Sequence, residues 1–168
     1  MRQDVDTTVT AVKTLLFTVL VPGTVIVVVP YRLLRASHGF TVSGAPGFRW
    51  LALPLLLLGM TAYLWCALEF VRTGRGTPAP IDPPTALVMR GLYRFSRNPM
   101  YVGVLAMLFS EAIFFASFSL LLYALGALAC FHLFIIAYEE PALRRKFGSA
   151  FEQYRRTVPR WLGRARRG

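Results

Sequence analysis

Cysteine and histidine are scarce in this 168-residue chain, two of each, and no CxxC pair occurs. Cys66 and Cys130 stand alone inside apolar runs, the pattern of small buried core residues and not of a redox or metal motif. Acidic residues are few, eight against nineteen Lys and Arg, which leaves a formal net charge of +11. Gly74-Arg75-Gly76 has no strand before it and no helix start after it, so no dinucleotide fingerprint is present and a soluble Rossmann fold is excluded. No internal repeat and no low-complexity tract occurs. The first apolar run is not followed by a small-x-small cleavage site, continues past the length of a signal-peptide core, and ends in Tyr31-Arg32-Leu33-Leu34-Arg35, an aromatic and basic stop. It is expected to be a retained span.

What the chain has in quantity is apolar sequence in long blocks: 55% of residues are hydrophobic and the mean hydropathy is +0.51. A soluble domain would disperse these residues by helix or strand period, so the class is an all-α integral membrane protein. Four segments are long enough to cross a bilayer, for which roughly 20 residues are needed: 12–31, with a kink expected at Pro22-Gly23; 50–71; 99–117; and 118–138. Only Ser117-Phe118-Ser119 interrupts the last two, which predicts a tight antiparallel hairpin. Residues 1–168 are read as a single membrane domain.

With four spans, sixteen of the nineteen Lys and Arg residues fall on the side that holds both termini and the loop 72–98; only Arg32, Arg35 and Arg49 fall on the other. The positive-inside rule then places both termini in the cytoplasm, and the expected location is the inner or plasma membrane of a bacterium. The loop 73–84 is rich in Gly and Pro and should be irregular. Leu87, Val88, Leu92, Tyr93 and Phe95 alternate with arginines and suggest a short interfacial segment. From Pro141 onward, Leu143, Phe147, Phe151, Tyr154 and Val158 form one helical stripe, with Arg144, Arg145, Lys146, Arg155 and Arg156 on the other faces. That is a basic amphipathic C-terminal helix suited to anionic lipid headgroups, and next to four spans it is not a nucleic-acid surface.

The rest is organised around Met89–Gly103, which carries Arg90, Arg94 and Arg97 into an apolar helix. Asn98-Pro99 reads as a helix start, with Asn as N-cap and Pro in the first turn. A helix mouth flanked by arginines suits a carboxylate or phosphate. If both arms of the hairpin are nearly equal, Glu139 and Glu140 reach the level of that mouth. His132, seven residues before Glu139, should share its face roughly 10 Å deeper, and Glu111 should lie about 18 Å from the mouth. Arg94, Arg97 and Asn98 opposite two carboxylates suit a ligand with an anionic end and a cationic or hydroxylated end, and S-adenosylmethionine has all of these. The same spacing also fits a bare ion pair, Arg97 with Glu139, pinning the hairpin ends. His132 is expected on the site wall, against the alternative of a core histidine bonded to Tyr63. Glu111 is expected to bond Thr61 or Tyr63, Glu69 to pair with Arg72, and His38 to be solvated.

Gly91-x-Tyr93-Arg94-x-x-Arg97-Asn98-Pro99-x-Tyr101-x-Gly103 resembles the signature of the isoprenylcysteine carboxyl methyltransferase and phospholipid methyltransferase superfamily. Its second half is also similar: His132, Glu139-Glu140-x-x-Leu143, Phe147-Gly148-x-x-Phe151-x-x-Tyr154 and Val158-Pro159-Arg160. The likeness covers about 84–162. It implies a multi-pass membrane methyltransferase of the small bacterial type, using S-adenosylmethionine on a lipophilic or lipidated acceptor that presents a carboxylate, amine or thiol. It implies that Tyr93, Arg94, Arg97, Asn98, Pro99, Tyr101 and Gly103 belong to the cofactor site, that Glu139 and Glu140 hold the cofactor's polar end, and that His132, Glu139 and Arg97 carry the chemistry; no metal is implied. Family members often have His where Asn98 stands. The competing readings are an NADPH-dependent membrane reductase of the sterol-reductase type and a non-enzymatic lipid-binding membrane protein.

Overall fold

A computed structural model describes residues 12, 15–16, 18–36, 46–73 and 87–163. The Gly- and Pro-rich loop from residue 74, His38, and the side chain of Arg72 expected to pair with Glu69 lie outside the described residues. Among those described, the structure is all helical. Helix α1, Thr18–Ala36, extends five residues beyond the expected Tyr31. It contains a π turn at Thr24–Val28, directly after Pro22-Gly23. Pro30, in the turn that follows, has no N–H to give to the Ile26 carbonyl four residues back, and the wider turn lets the helix absorb that loss without breaking. The Thr24 hydroxyl donates to the Leu20 carbonyl at 2.5 Å, a bond that suits a backbone group in an apolar surround.

A 3₁₀ turn, Pro46–Leu51, leads into α2, Ala52–Thr73. Helix α3 spans Pro99–Phe114 and α4 spans Phe118–Phe134; a π turn, Ile135–Glu139, carries the chain on into α5, Glu140–Thr157. Three helical stretches are long and apolar enough to cross a membrane, beginning at Thr18, Arg49 and Phe118; α3, at 16 residues, is shorter. Sixteen residues rise about 24 Å, less than the roughly 30 Å hydrocarbon core. The link between α3 and α4 is Phe115–Ser117, earlier than the expected break, with Ala116 at φ 48° and the Ser117 hydroxyl capping α4 by accepting from the Leu120 N–H. The chain reverses there: Tyr101 near the start of α3 packs on Phe131 near the end of α4, ring centroids 4.9 Å apart.

Two glycines set the closest helix contact. A Cβ at Gly59 would lie 2.7 Å from the Gly103 carbonyl oxygen, and one at Gly103 would lie 2.8 Å from the Gly59 oxygen and 3.0 Å from the Tyr63 nitrogen. The backbones of α2 and α3 therefore touch through paired small residues, the usual route to tight packing between helices in lipid. Because the obstructing atoms are backbone, Gly103→Ala must push the helices apart; an overpacking cost of about 1–3 kcal/mol is expected. It should appear as a lower unfolding temperature in detergent, and an unchanged temperature would refute the contact.

Around this crossing, Tyr63, Val104, Met107, Leu108 and Ala124 form the buried core, with Val25 and Ile26 of α1 against it. Two hydroxyls tie α1 in: Tyr63 donates to Thr18 Oγ1 at 2.9 Å and Tyr123 to the Val25 carbonyl at 3.0 Å. Tyr63 is thus not the partner of His132 or Glu111. Cys66 is buried as expected, but Cys130 is exposed, on the face of α4 that also shows Leu122, Leu125 and Leu133. A lone apolar-flanked cysteine reads the same in sequence whether it faces protein or lipid, which is why the expectation fails here.

The C-terminal helix is not a separate straight element. It continues α4 in one path, Phe118–Thr157, and breaks direction at Gly148, where φ is 50° and ψ is −123°. That region is open essentially to glycine alone. Past the break, Phe151, Tyr154 and Val158 are buried in a cluster with Leu87, Leu143 and Phe147. The expected apolar stripe is real, but it closes on the protein itself.

Candidate functional site

The arginine-rich stretch is shaped by what α2 presents to it. Gly91 has φ +57°, and a Cβ there would lie 3.0 Å from Trp65 Nε1. Only glycine gives both the left-handed turn and that clearance. The 3₁₀ turn Gly91–Arg94 then buries Tyr93 against Cys66 and Val88, while Arg94 stays exposed. Tyr154 Oη donates to the Tyr93 carbonyl at 2.7 Å, so the tail grips this turn from the other side.

Asn98 stands at the N-cap of α3 with Pro99 following, but its side chain does not cap the helix. Its Nδ2 donates to the Arg160 carbonyl at 3.0 Å, while its own N–H donates to Ser96 Oγ at 3.1 Å. Ser96 Oγ also donates to the Arg160 carbonyl, at 3.2 Å, and the Arg97 N–H donates to the Pro159 carbonyl at 2.9 Å. The expected capping role is overturned because the folded-back tail recruits the Asn98 side chain. Residues 96–98 thus form a dock for Pro159-Arg160.

Above the dock sits a cluster of three charges. Arg97 Nη1 donates to Glu140 Oε1 at 2.8 Å, and Arg160 grips the same carboxylate with both ends of its fork, Nε to Oε1 at 2.7 Å and Nη2 to Oε2 at 3.0 Å. The pair expected between Arg97 and Glu139 is made by Glu140 instead. The π turn supplies the reason. The Glu140 N–H bonds back five residues to the Ile135 carbonyl, so one extra residue is accommodated in the helix and every later side chain is rotated by one position. The face that a regular helix would give to His132 and Glu139 goes to His132 and Glu140. Burial alone would raise the Glu140 carboxyl, but the Arg160 hydrogen bond and the charges of Arg97, Arg160 and Arg155 hold it below the usual carboxylate range. Reciprocally, the hydrogen bond to Glu140 raises the Arg160 guanidinium.

Glu139 is turned to a different setting. Its carboxylate meets the Tyr101 hydroxyl, and its Oε2 is buried with no hydrogen-bond partner among the described residues. Arg97 Nε is buried and unpartnered in the same sense. Buried polar atoms are nearly always bonded, so two orphans of opposite kind on adjoining elements mark where a bound molecule would complete the structure. Glu111 Oε2, three turns into α3, is a third such atom.

His132 is held by a residue outside every motif in the sequence. Trp161 Nε1 donates to His132 Nδ1 at 3.1 Å, and the two ring planes lie 18° from parallel with centroids 6.1 Å apart. Arg160, Trp161, Ser96 and Tyr154 build the cluster, yet none of them stands out as a site residue in the sequence. Tyr154 and Arg160 are visible only as letters of the motif that runs from Phe147 to Arg160; Trp161 carries no signal, since an aromatic near a basic terminus is ordinary.

A groove of about 370 Å³ opens beside the cluster. Val102, Leu105, Ala106 and Phe109 of α3 and Leu128 of α4 line it, with Trp161 and Leu162 of the tail. Gly103, by contrast, faces Gly59. Among the described residues there is no group of His, Cys, Asp and Glu that could hold a metal.

Comparison with known proteins matches residues 48–150, more than half of the chain, to the phospholipid methyltransferase family. No curated protein and no solved structure matches.

Proposed function

The chain belongs to the phospholipid methyltransferase family, and on that premise we propose that it transfers the methyl group of S-adenosylmethionine to a lipid-borne nucleophile at the membrane interface. The observation that carries this reading is the pair of orphaned buried atoms, Arg97 Nε and Glu139 Oε2. A molecule with a carboxylate and an ammonium satisfies both, one from a guanidinium N–H and one at a carboxylate oxygen. The residues present therefore fit the amino-acid end of S-adenosylmethionine. When bound, it supplies a methyl group already activated on a sulfonium, so the protein's part is alignment and exclusion of water.

In this reading Arg97 and Glu139 orient the methyl donor, Tyr101 steadies Glu139, and Glu140 and Arg160 hold Arg97 in place. Tyr93 and Pro99, both buried, and Asn98 on the tail complete the wall. A carboxylate or thiolate acceptor needs no base; a protonated amine must first lose its proton, and Glu139 Oε2, which holds the donor's ammonium in this reading, is not free to take it. The acceptor's hydrocarbon chain lies in the apolar groove along Val102 to Phe109 and enters laterally from the bilayer. The excess of Lys and Arg around the loop 72–98 and the tail supports a cytoplasmic site.

Titration of purified protein with S-adenosylmethionine, its demethylated product and NADPH tests the reading. Binding of the first two and not of NADPH is expected; absence of both, or binding of NADPH alone, defeats it. Incubating a membrane lipid extract with labelled methyl donor should then yield a labelled lipid whose structure names the acceptor.

A further inference from the structure

We propose that Trp161 is a positioning residue that holds the His132 imidazole with its proton on Nε2, so that His132 serves the reaction as a hydrogen-bond donor and not as a base. An indole N–H can only donate, so the nitrogen it meets must present a lone pair. The 3.1 Å bond from Trp161 Nε1 ends on His132 Nδ1. A neutral imidazole with a lone pair at Nδ1 carries its hydrogen on Nε2, and an imidazolium, with hydrogens on both nitrogens, cannot accept this bond at all. While the contact stands, one ring state is selected.

The indole is not free to drift from that bond. The carbonyl oxygens of the two residues before it are held by the Arg97 N–H, Ser96 Oγ and Asn98 Nδ2, and the Arg160 side chain is locked on Glu140. The π turn puts His132 and Glu140 on one face, so the tail lands on that face twice, Arg160 on Glu140 and Trp161 on His132. The near-parallel ring planes, 18° apart, keep the Nδ1 lone pair in line with the indole N–H. Trp161 also lines the groove, together with Leu128, one helical turn before His132. One side chain thus adjoins both the groove and the imidazole. With Nδ1 engaged and Nε2 protonated, the imidazole has no lone pair left to take a proton from an amine acceptor. The part played in the reaction rests on the methyl-transfer reading; the ring state does not.

Nitrogen-15 spectra of protein labelled at its histidine side chains, in lipid nanodiscs at neutral pH, decide the ring state, with His38→Gln assigning the other histidine. The wild type should show His132 with hydrogen on Nε2 and a hydrogen-bonded, unprotonated Nδ1. Trp161→Phe keeps an apolar aromatic ring and removes the donor, so the Nδ1 signal should move toward that of an unbonded nitrogen and the second tautomer should appear. A wild-type ring protonated on Nδ1 or on both nitrogens, or a spectrum unchanged by Trp161→Phe, overturns the proposal. In methyl-transfer assays Trp161→Phe should lower kcat about tenfold and leave the acceptor's KM within about twofold; an unchanged kcat overturns the positioning role. A wild type that transfers no methyl group defeats the methyl-transfer reading and the role in it, and the spectrum still decides the ring state by itself.

Discussion

Replacing Glu139 with glutamine should weaken S-adenosylmethionine binding by one to two orders of magnitude and leave the unfolding temperature where it is. The amide has the carboxylate's shape, so the neighbouring Tyr101 hydroxyl keeps an acceptor. What disappears is the negative charge at Oε2, an atom with no partner among the described residues and hence no bond there to break. A hydrogen bond to a charged group contributes about 1.5–3 kcal/mol, which corresponds to roughly a 10- to 150-fold change in affinity. Calorimetric titration and thermal unfolding of the same preparation separate the two quantities. Normal binding with a lowered unfolding temperature would make Glu139 a structural residue and remove the carboxylate from the site.

Glu140→Gln should act first on stability, lowering the unfolding temperature. Glu140 sits between Arg97 and Arg160, with side-chain exposures of 13%, 9% and 28% respectively. Removing the charge leaves the Arg97 guanidinium largely buried with no counter-ion, a change that costs about 3–5 kcal/mol in buried pairs. The pH dependence has a definite sign. The folded protein holds this carboxyl below its ordinary value of 4.5, because the Arg160 hydrogen bond and the surrounding arginines outweigh the effect of burial. The stabilisation is therefore complete above that ordinary value and is lost as pH falls through the lowered one. Unfolding of wild type and variant in detergent, followed from about pH 7 to about pH 3, should show a gap that is constant near neutrality and closes only in the acid range. A gap absent at neutral pH would mean that Arg160 and Arg97 find other partners.

The contrast between these two adjacent carboxylates shows where the sequence is legible and where it is not. The apolar blocks dictate the helices, because a bilayer leaves long runs no other solution. The two halves of the arginine and glutamate pattern do meet at one level, because the reversal near Ser117 makes the arms comparable in length. Three features stay hidden. The π turn is invisible to a count that assumes 3.6 residues per turn, and it moves the ion pair from Glu139 to Glu140. Gly148 is only a motif letter until its backbone angles reveal a change of direction. That change brings Arg160 and Trp161 onto residues twenty or more positions away, so neither side chain has a neighbour in the sequence to suggest its role. Each miss is a matter of where the backbone departs from regular geometry, and regular geometry is all that periodicity can report.

The turn at Ile135–Glu139 also governs how this chain is laid beside a relative whose helix lacks it. A helix without the wider turn reaches the same face with one residue fewer. Pairing such a helix with this one requires a single gap between Phe134 and Glu140. Written without the gap, the columns would set Glu139 against the relative's arginine-bound carboxylate and Glu140 against a residue pointing elsewhere. Roles transferred by column would then be exchanged between two identical side chains, and no mismatch in residue type would reveal it.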